Sequence, residues 1–235
     1  MSRVRTLAAL GLAAQYVPAA TAVAPLRRRL LPSLAGVARH PHVALTYDDG
    51  PDESTTPAFL DLLERHGVTA TFFLLGAHVE RHRSVVRELH ARGHELAVHG
   101  WDHRCTAVKR PGALLDELRR TVGALTDVTG AEVRWYRPPY GVLTTEALVA
   151  AHAAGLRTVL WSAWGRDWER AATPESVAHR VASALRPGGT VLLHDTDRTS
   201  APGSWRATLA ASGLLLADWA DRGYDVGPLR DHRPF

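Results

Sequence analysis

The chain has 235 residues, 46% of them hydrophobic and 22% charged, with a formal net charge of +4 and a single cysteine, Cys105. This is a globular composition able to bury a core unaided; one cysteine excludes an intramolecular disulfide, and no internal repeat or low-complexity tract is present. The modest positive charge suits anionic surroundings such as an acidic cell envelope, but it comes without a basic, aromatic-interleaved motif, so no nucleic acid is expected as a partner.

Residues 1–40 read differently from the rest. Arg3 and Arg5 precede an apolar stretch, Leu7 to Ala14, and Ala20-Thr21-Ala22 has the A-x-A form of a cleavage site, as in a secretory signal peptide. The same residues also fit an amphipathic or buried helix ending at Pro18, with Arg27-Arg28-Arg29 beyond it. Gln15, Tyr16 and Pro18 interrupt the apolar run, which argues against a spanning helix of about 20 apolar residues. The expectation is an N-terminal segment over 1–40 that directs secretion or lies on a membrane, followed by one domain over 41–230. That places the protein outside the cytoplasm, secreted or associated with the envelope, with a cytoplasmic protein as the alternative.

From Val43 onward, strand and helix patterns alternate. Val43-Ala44-Leu45 is a short apolar strand leading into Thr46-Tyr47-Asp48-Asp49-Gly50. Thr56-Pro57 reads as the N-cap and first-turn proline of a helix that stops at Gly67. There follow a strand over 70–75, a helix over 78–92, a strand over 95–98, an amphipathic helix over 112–129 and a strand over 133–136. A helix over 144–154, a strand over 157–161, a helix capped by Thr173-Pro174-Glu175, a strand over 190–193, a helix over 204–222 and a strand over 224–226 complete the series. Seven strands, mostly apolar on both faces and alternating with helices, imply parallel pairing under a cover of helices. The polar residues that stand out, Asp48, Asp49, His99, Arg137, Asp167 and His194, follow strands. Strand C-terminal ends carry ligands in barrels and in open sheets alike.

Asp48 and Asp49 are neighbouring like charges, and partial burial would raise at least one pKa. A cation on one of them removes the conflict and frees the other to act as a base. His99 and His103 stand four apart, a spacing that on a helical turn points both rings the same way and suits a metal gripped between them. With a carboxylate from another strand end they make a His-His-Asp set, three protein ligands with positions left open, as in hydrolytic zinc sites. A metal there lowers the pKa of a water and polarises a carbonyl oxygen. Asp48 is then the candidate base, and His194 in Leu192-Leu193-His194-Asp195 the candidate acid. Arg137-Pro138-Pro139-Tyr140-Gly141 is stiffened by two prolines and can hold Arg137 against a carboxylate while presenting a backbone N–H to an oxyanion. Trp101, Trp161, Trp164 and Trp168 gather near the same strand ends, where aromatic rings suit sugars; Trp161 reads as core.

Taken together, these stretches resemble the polysaccharide deacetylase family, the NodB homology domain of carbohydrate esterase family 4, from about Val43 to Val226 and with the motifs in the family's order. The resemblance implies an α/β fold, a distorted, incomplete (β/α)7 barrel. It implies Asp48 as general base, and Asp49, His99 and His103 as ligands of one divalent metal ion, zinc ahead of cobalt or nickel. Arg137 would orient the base, Tyr140 would contribute an N–H to the oxyanion hole, Leu192 would wall the acetyl-methyl pocket and His194 would be the general acid. Asp167 and Trp168 fall in the fourth motif, on the substrate side. That motif departs from the family's Asp-x-x-Asp-Trp, because Trp164 stands at the first Asp, the one that tunes the acid histidine in the family. Asp167 is expected either to pair with Arg137 or to support the site from behind.

The function expected from the resemblance is metal-dependent hydrolysis of a non-peptide amide. It would remove N-acetyl groups from N-acetylglucosamine units of peptidoglycan or a chitin-like glycan, by a monomer associated peripherally with membrane or cell wall. One alternative is a related C–N hydrolase or O-acetyl esterase on a smaller substrate. Another is a non-catalytic metal- and glycan-binding protein, against which the presence of both Asp48 and His194 argues.

Overall fold

A computed structural model describes residues 24–110 and 112–232, together with Gln15, Tyr16, Pro18 and Thr21. The first described helix is α1 (Ala24–Leu30), followed by β1 (Val43–Asp48), α2 (Thr56–Arg65), β2 (Thr71–Leu75), α3 (Gly76–Arg81), α4 (Arg83–Ala91) and β3 (Glu95–Gly100). Then come α5 (Ala113–Thr129), β4 (Trp135–Tyr136), α6 (Thr145–Ala153), β5 (Arg157–Thr158), β6 (Ala163–Trp164), α7 (Pro174–Ala184), β7 (Thr190–His194), α8 (Ser204–Asp221) and β8 (Val226–Gly227). Every strand pairing is parallel, in the order β5-β4-β3-β2-β1-β7-β6, with β8 added at the start of β1.

β1 lies centrally, and all six of its residues are buried, as are all five of β2. This is why their sequences are apolar without alternation: helices cover one face, and the inside of the curled sheet is filled by side chains. On the helix side Tyr47 stacks on Phe72 and meets Phe59 edge-on, both at 5.2 Å between ring centres. Burial of each such ring stabilises the fold by roughly 1.5–3 kcal/mol.

Register aligns the strand ends. Asp48 pairs with His194 across β1 and β7, and with Phe73 across β1 and β2. Val98, just before His99, pairs with Tyr136, just before Arg137. Residues far apart in sequence therefore arrive at one rim.

Several boundaries differ from the sequence expectation. The helix over 78–92 is two helices, which break at His82, where φ is −119° and ψ 44°. There are eight described strands, not seven, because the expected strand over 157–161 is ladder-paired only at Arg157–Thr158 and a new pair forms at Ala163–Trp164. These two short strands are the outer strands of the sheet order, and residues 159–162 cross between them. Along that crossing Leu160 N–H donates to the Leu34 carbonyl and Ser162 N–H to Thr190, so the seam is closed by single bonds and not by a ladder. The result is an incomplete barrel. Thr56 is not a helix cap; its hydroxyl donates to Asp195 Oδ2 and accepts from Asp52 N–H.

The residues before β1 pack into the domain. Ala35 is fully buried, the Gly36 carbonyl accepts from Thr190 Oγ1, and Ala38 N–H donates to Gly188. Buried Arg27 of α1 donates to the Trp161 carbonyl at 2.8 Å. Leu7–Ala14, Ala20 and Ala22, on which the leader reading rests, lie outside the described residues. Among the described residues, no helix is long and apolar enough to cross a membrane.

Candidate active site

The ends of five strands, β1, β3, β4, β6 and β7, and the loops after them build the site. Asp48 closes β1 and is buried; Asp49 leaves the strand at φ +79°, a left-handed conformation rare outside glycine. The next residue must be glycine for a different reason: a Cβ on Gly50 would lie 2.6 Å from the Asp195 carboxylate.

His99 is the penultimate residue of β3, next to the chain at Arg137, and Gly100, at φ +107°, bends the chain back so that His103 returns from the following loop. The two histidines therefore converge across a bend and not on a helical turn, with ring centres 5.4 Å apart. Ligand atoms of Asp49, His99 and His103 all lie within 4.8 Å of one another. Nε2 of His99 and of His103 are 3.2 and 3.3 Å from Asp49 Oδ1, which is buried without a hydrogen-bond partner.

That orphaned oxygen tests the site for a cation. His99 Nδ1 lies 2.8 Å from the Arg137 carbonyl. A carbonyl only accepts, so Nδ1 carries the proton and, in the neutral ring, Nε2 aims a lone pair at Asp49. A lone pair facing a carboxylate oxygen at this distance is unfavourable unless a cation joins them, and one carboxylate with two imidazoles is a donor set for a divalent ion such as zinc. Burial alone would raise the pKa of Asp49; the surrounding imidazoles, His99 first among them, hold it well below the usual carboxylate range whenever they carry a proton. Burial pushes His103 down to about 4, which keeps it in the neutral, ligating form.

Asp48 is held from the opposite direction. Arg137, fully buried, donates through Nη1 to Asp48 Oδ1 at 2.6 Å and to Thr46 Oγ1 at 2.8 Å, and through Nη2 to the Leu160 carbonyl at 2.8 Å. Its guanidinium lies 4.0 Å above the Phe73 ring. Burial lowers the pKa of Arg137 and the charge of Asp48 works against that shift, so the two ions sustain each other.

His194 ends β7. Asp167 grips it twice, with Oδ2 accepting the His194 backbone N–H at 2.8 Å and Oδ1 facing ring Nδ1 at 3.0 Å; Thr208 of α8 donates to Oδ2 as well. Burial alone would lower the pKa of His194, but the charge and hydrogen bond of Asp167, with Asp49 and Asp48 beyond, raise it to about 10. Asp167 thus partners His194 and not Arg137, whose carboxylate is Asp48.

These groups surround a cavity of about 220 Å³, whose lining includes Asp48, Asp49, His103, Leu192 and His194. Tyr140 is 63% exposed at φ +60°, with its ring edge-on to His103 at 4.5 Å. Trp168 stands edge-on to His194 at 5.6 Å. Trp161 and Trp164 also line the cavity, whereas Trp101 turns away, with the Arg120 guanidinium 3.4 Å above its ring. Among the described residues, the non-glycine positions with positive φ are Asp49, Tyr140 and Arg166, each in the site or beside one of its residues. Such strain persists only where surrounding structure enforces it.

Sequence reasoning missed Thr199, whose hydroxyl donates to Asp49 Oδ2, and Ser200 beside it in the cavity wall. Both sit in the polar loop after β7, where no periodicity marks them. It also missed His78, whose Nδ1 lies 3.1 Å from the Asp49 carbonyl. Thr46 was within reach, since it lies two residues before Asp48 on the same face of β1.

The family model of polysaccharide deacetylases matches residues 35–159. The chain belongs to the polysaccharide deacetylase family. The deacetylase enzyme class comes with that membership, and so does the fold. A chitooligosaccharide deacetylase of Bradyrhizobium sp. (strain ANU 289) is 35% identical over 198 residues, covering 80% of this chain and 88% of that one. The peptidoglycan-N-acetylglucosamine deacetylase PgdA of Listeria monocytogenes is 34% identical over 182 residues, covering 75% of this chain but only 38% of that one. Among solved structures, a carbohydrate esterase family 4 pseudoenzyme from Bacillus anthracis superposes with a TM-score of 0.74 at 26% identity, over 83% of this chain and 66% of that one.

Proposed function

We propose that this deacetylase removes N-acetyl groups from N-acetylglucosamine units of a chitin-like or peptidoglycan chain, with one divalent ion held by Asp49, His99 and His103. The observation that carries this reading is the pair of polarised couples, Arg137–Asp48 and Asp167–His194, placed in register on adjacent strand ends beside the three-ligand cluster. A protein that only bound glycan would have no use for both couples. The names of its relatives, which act on chitooligosaccharides and on peptidoglycan, support the substrate class.

When bound, the ion supplies Lewis acidity, which makes a water more acidic and an acyl carbonyl more electrophilic. Arg137 engages Asp48 Oδ1 and so leaves Oδ2 to take the proton of the attacking water. As the C–O bond forms, the N–H of Tyr140 donates to the developing oxyanion. Asp167 fixes His194 through Nδ1, so Nε2 delivers the proton to the amide nitrogen as the C–N bond breaks. Acetate and a free amine result. Leu192 and Trp168 supply the apolar wall for the acetyl methyl. The reading also puts the protein outside the cytoplasm, where such glycans lie; recovery from the cytosol alone, with Met1 intact, would count against that.

The test is acetate release from N-acetylglucosamine oligomers by chelator-stripped protein, with and without added zinc or cobalt, beside Asp48→Asn and His194→Ala. The expected outcome is release restored by metal and lowered about 10²–10⁴-fold in each variant. Metal binding without release from any oligomer would move the assignment to another acylated substrate or to glycan binding alone.

A further inference from the structure

Trp164 is not used by the acid–base machinery. It ends β6, where it pairs in register with Leu192, and the residue is 39% exposed in the cavity wall. A tryptophan left open at a cavity is a large apolar surface without a partner. Its place is set from behind: a Cβ on Gly165 would meet Val177 of α7 at 2.6 Å and Leu193 of β7 at 3.0 Å, so the backbone there cannot shift inward. On either flank its ring is held by others, Trp161 at 5.6 Å and Trp168 at 4.9 Å between ring centres. Trp168 in turn meets His194, so a band of aromatic rings leads from buried Trp161 through Trp164 to the imidazole. His194 needs no second carboxylate from this position, since Asp167 already gives both oxygens to it.

We propose that Trp164 is a substrate-binding residue that stacks on the apolar C–H face of a pyranose ring of the glycan. The identity of the ligand rests on the deacetylase reading above. A pyranose has apolar faces and a hydroxyl-bearing edge. Stacking one face on an indole releases water from both surfaces while the hydroxyls stay solvated. Because Trp161 and Trp168 already fix the indole, little side-chain freedom is lost on binding. A carboxylate at the same place would offer hydrogen bonds to the edge of a sugar but no surface for its face.

The test is calorimetric titration of an N-acetylglucosamine tetramer into zinc-supplemented Asp48→Asn protein, a background chosen to slow consumption of the ligand, with Trp164→Ala, Trp164→Phe or Trp164→Asp added. The expected result is a Kd raised about 10-fold by Ala and by Asp, and about threefold or less by Phe, which keeps a ring. The Phe-to-Asp comparison stands even if the Ala protein does not fold. An unchanged Kd in the Ala and Asp proteins would overturn the inference. Sugar binding that depends on Trp164 in a wild-type protein releasing no acetate would sink the deacetylase reading and leave this one standing. Acetate release with a Kd indifferent to Trp164 would do the reverse.

Discussion

At the scale of single residues, the contact that most shapes the chemistry is Asp167 on His194. One carboxylate oxygen takes the backbone N–H and the other faces ring Nδ1, so both the place and the tautomer of the imidazole are set by one side chain. Asp167→Asn keeps the volume but removes the charge that raises His194 to about 10. The amide's NH₂ group can also donate where a carboxylate could only accept. Acetate release is expected to fall about 10²-fold, within the range a positioned acid contributes. Thermal melting would check that the variant folds. A folded Asp167→Asn protein with wild-type acetate release would refute this role.

At the scale of elements, the turn from Pro139 to Gly141 is held in a conformation its residues do not choose. Tyr140 and Gly141 sit at φ +60° and +64° in succession, and a Cβ on Gly141 would lie 2.5 Å from the Trp161 ring. Turn and indole are therefore packed as one unit, with Trp161 supported from the far side by Arg27 of α1. Gly141→Ala is expected to cost about 1–3 kcal/mol of stability in urea unfolding, through left-handed strain. It should also lower acetate release, because Trp161 or Tyr140 must move. Unchanged stability and unchanged rate together would show the turn to be more compliant than its geometry implies.

At the scale of the whole molecule, folding buries histidines in uncharged form away from the site. His94, before β3, accepts the Ala70 N–H on Nδ1 and meets the Phe72 ring edge-on; burial, with Arg230 and Arg92 nearby, pushes it down to about 4. Its unfolded pKa is about 6.5. The unfolded chain thus takes the proton first, and the stability His94 contributes is full above about pH 6.5 and lost as pH falls through 4. Asp195 has the opposite slope, since burial raises it to about 7. The informative measurement is therefore a difference: between pH 7 and pH 5 wild type should lose more urea stability than His94→Gln, whose amide oxygen still accepts from Ala70. Equal losses would show that His94 is not the group responsible.

The sequence alone carried the parallel α/β class, because buried parallel strands are apolar on both faces and β1, β2 and β7 show that run without alternation. It also carried the rim residues, because polar side chains placed directly after such strands have no packing reason to be there. It did not carry the seam. Residues 157–164 read locally as one extended stretch, and only the closing of the sheet decides that its two ends pair in ladders with β4 and β7 while its middle crosses on single hydrogen bonds. Nor did it carry the partner of Asp167. Arg137 and His194 are both reachable on paper, and the choice follows from register, which sets Asp48 beside Arg137 and puts His194 next to the loop after β6. His103 reached the cluster by a bend at Gly100 and not by helical spacing, since a positive φ there is a choice made by tertiary packing. Local pattern reports what a residue is compatible with; which of several compatible partners it meets is settled by contacts between segments far apart in the chain, whose energy no local window contains.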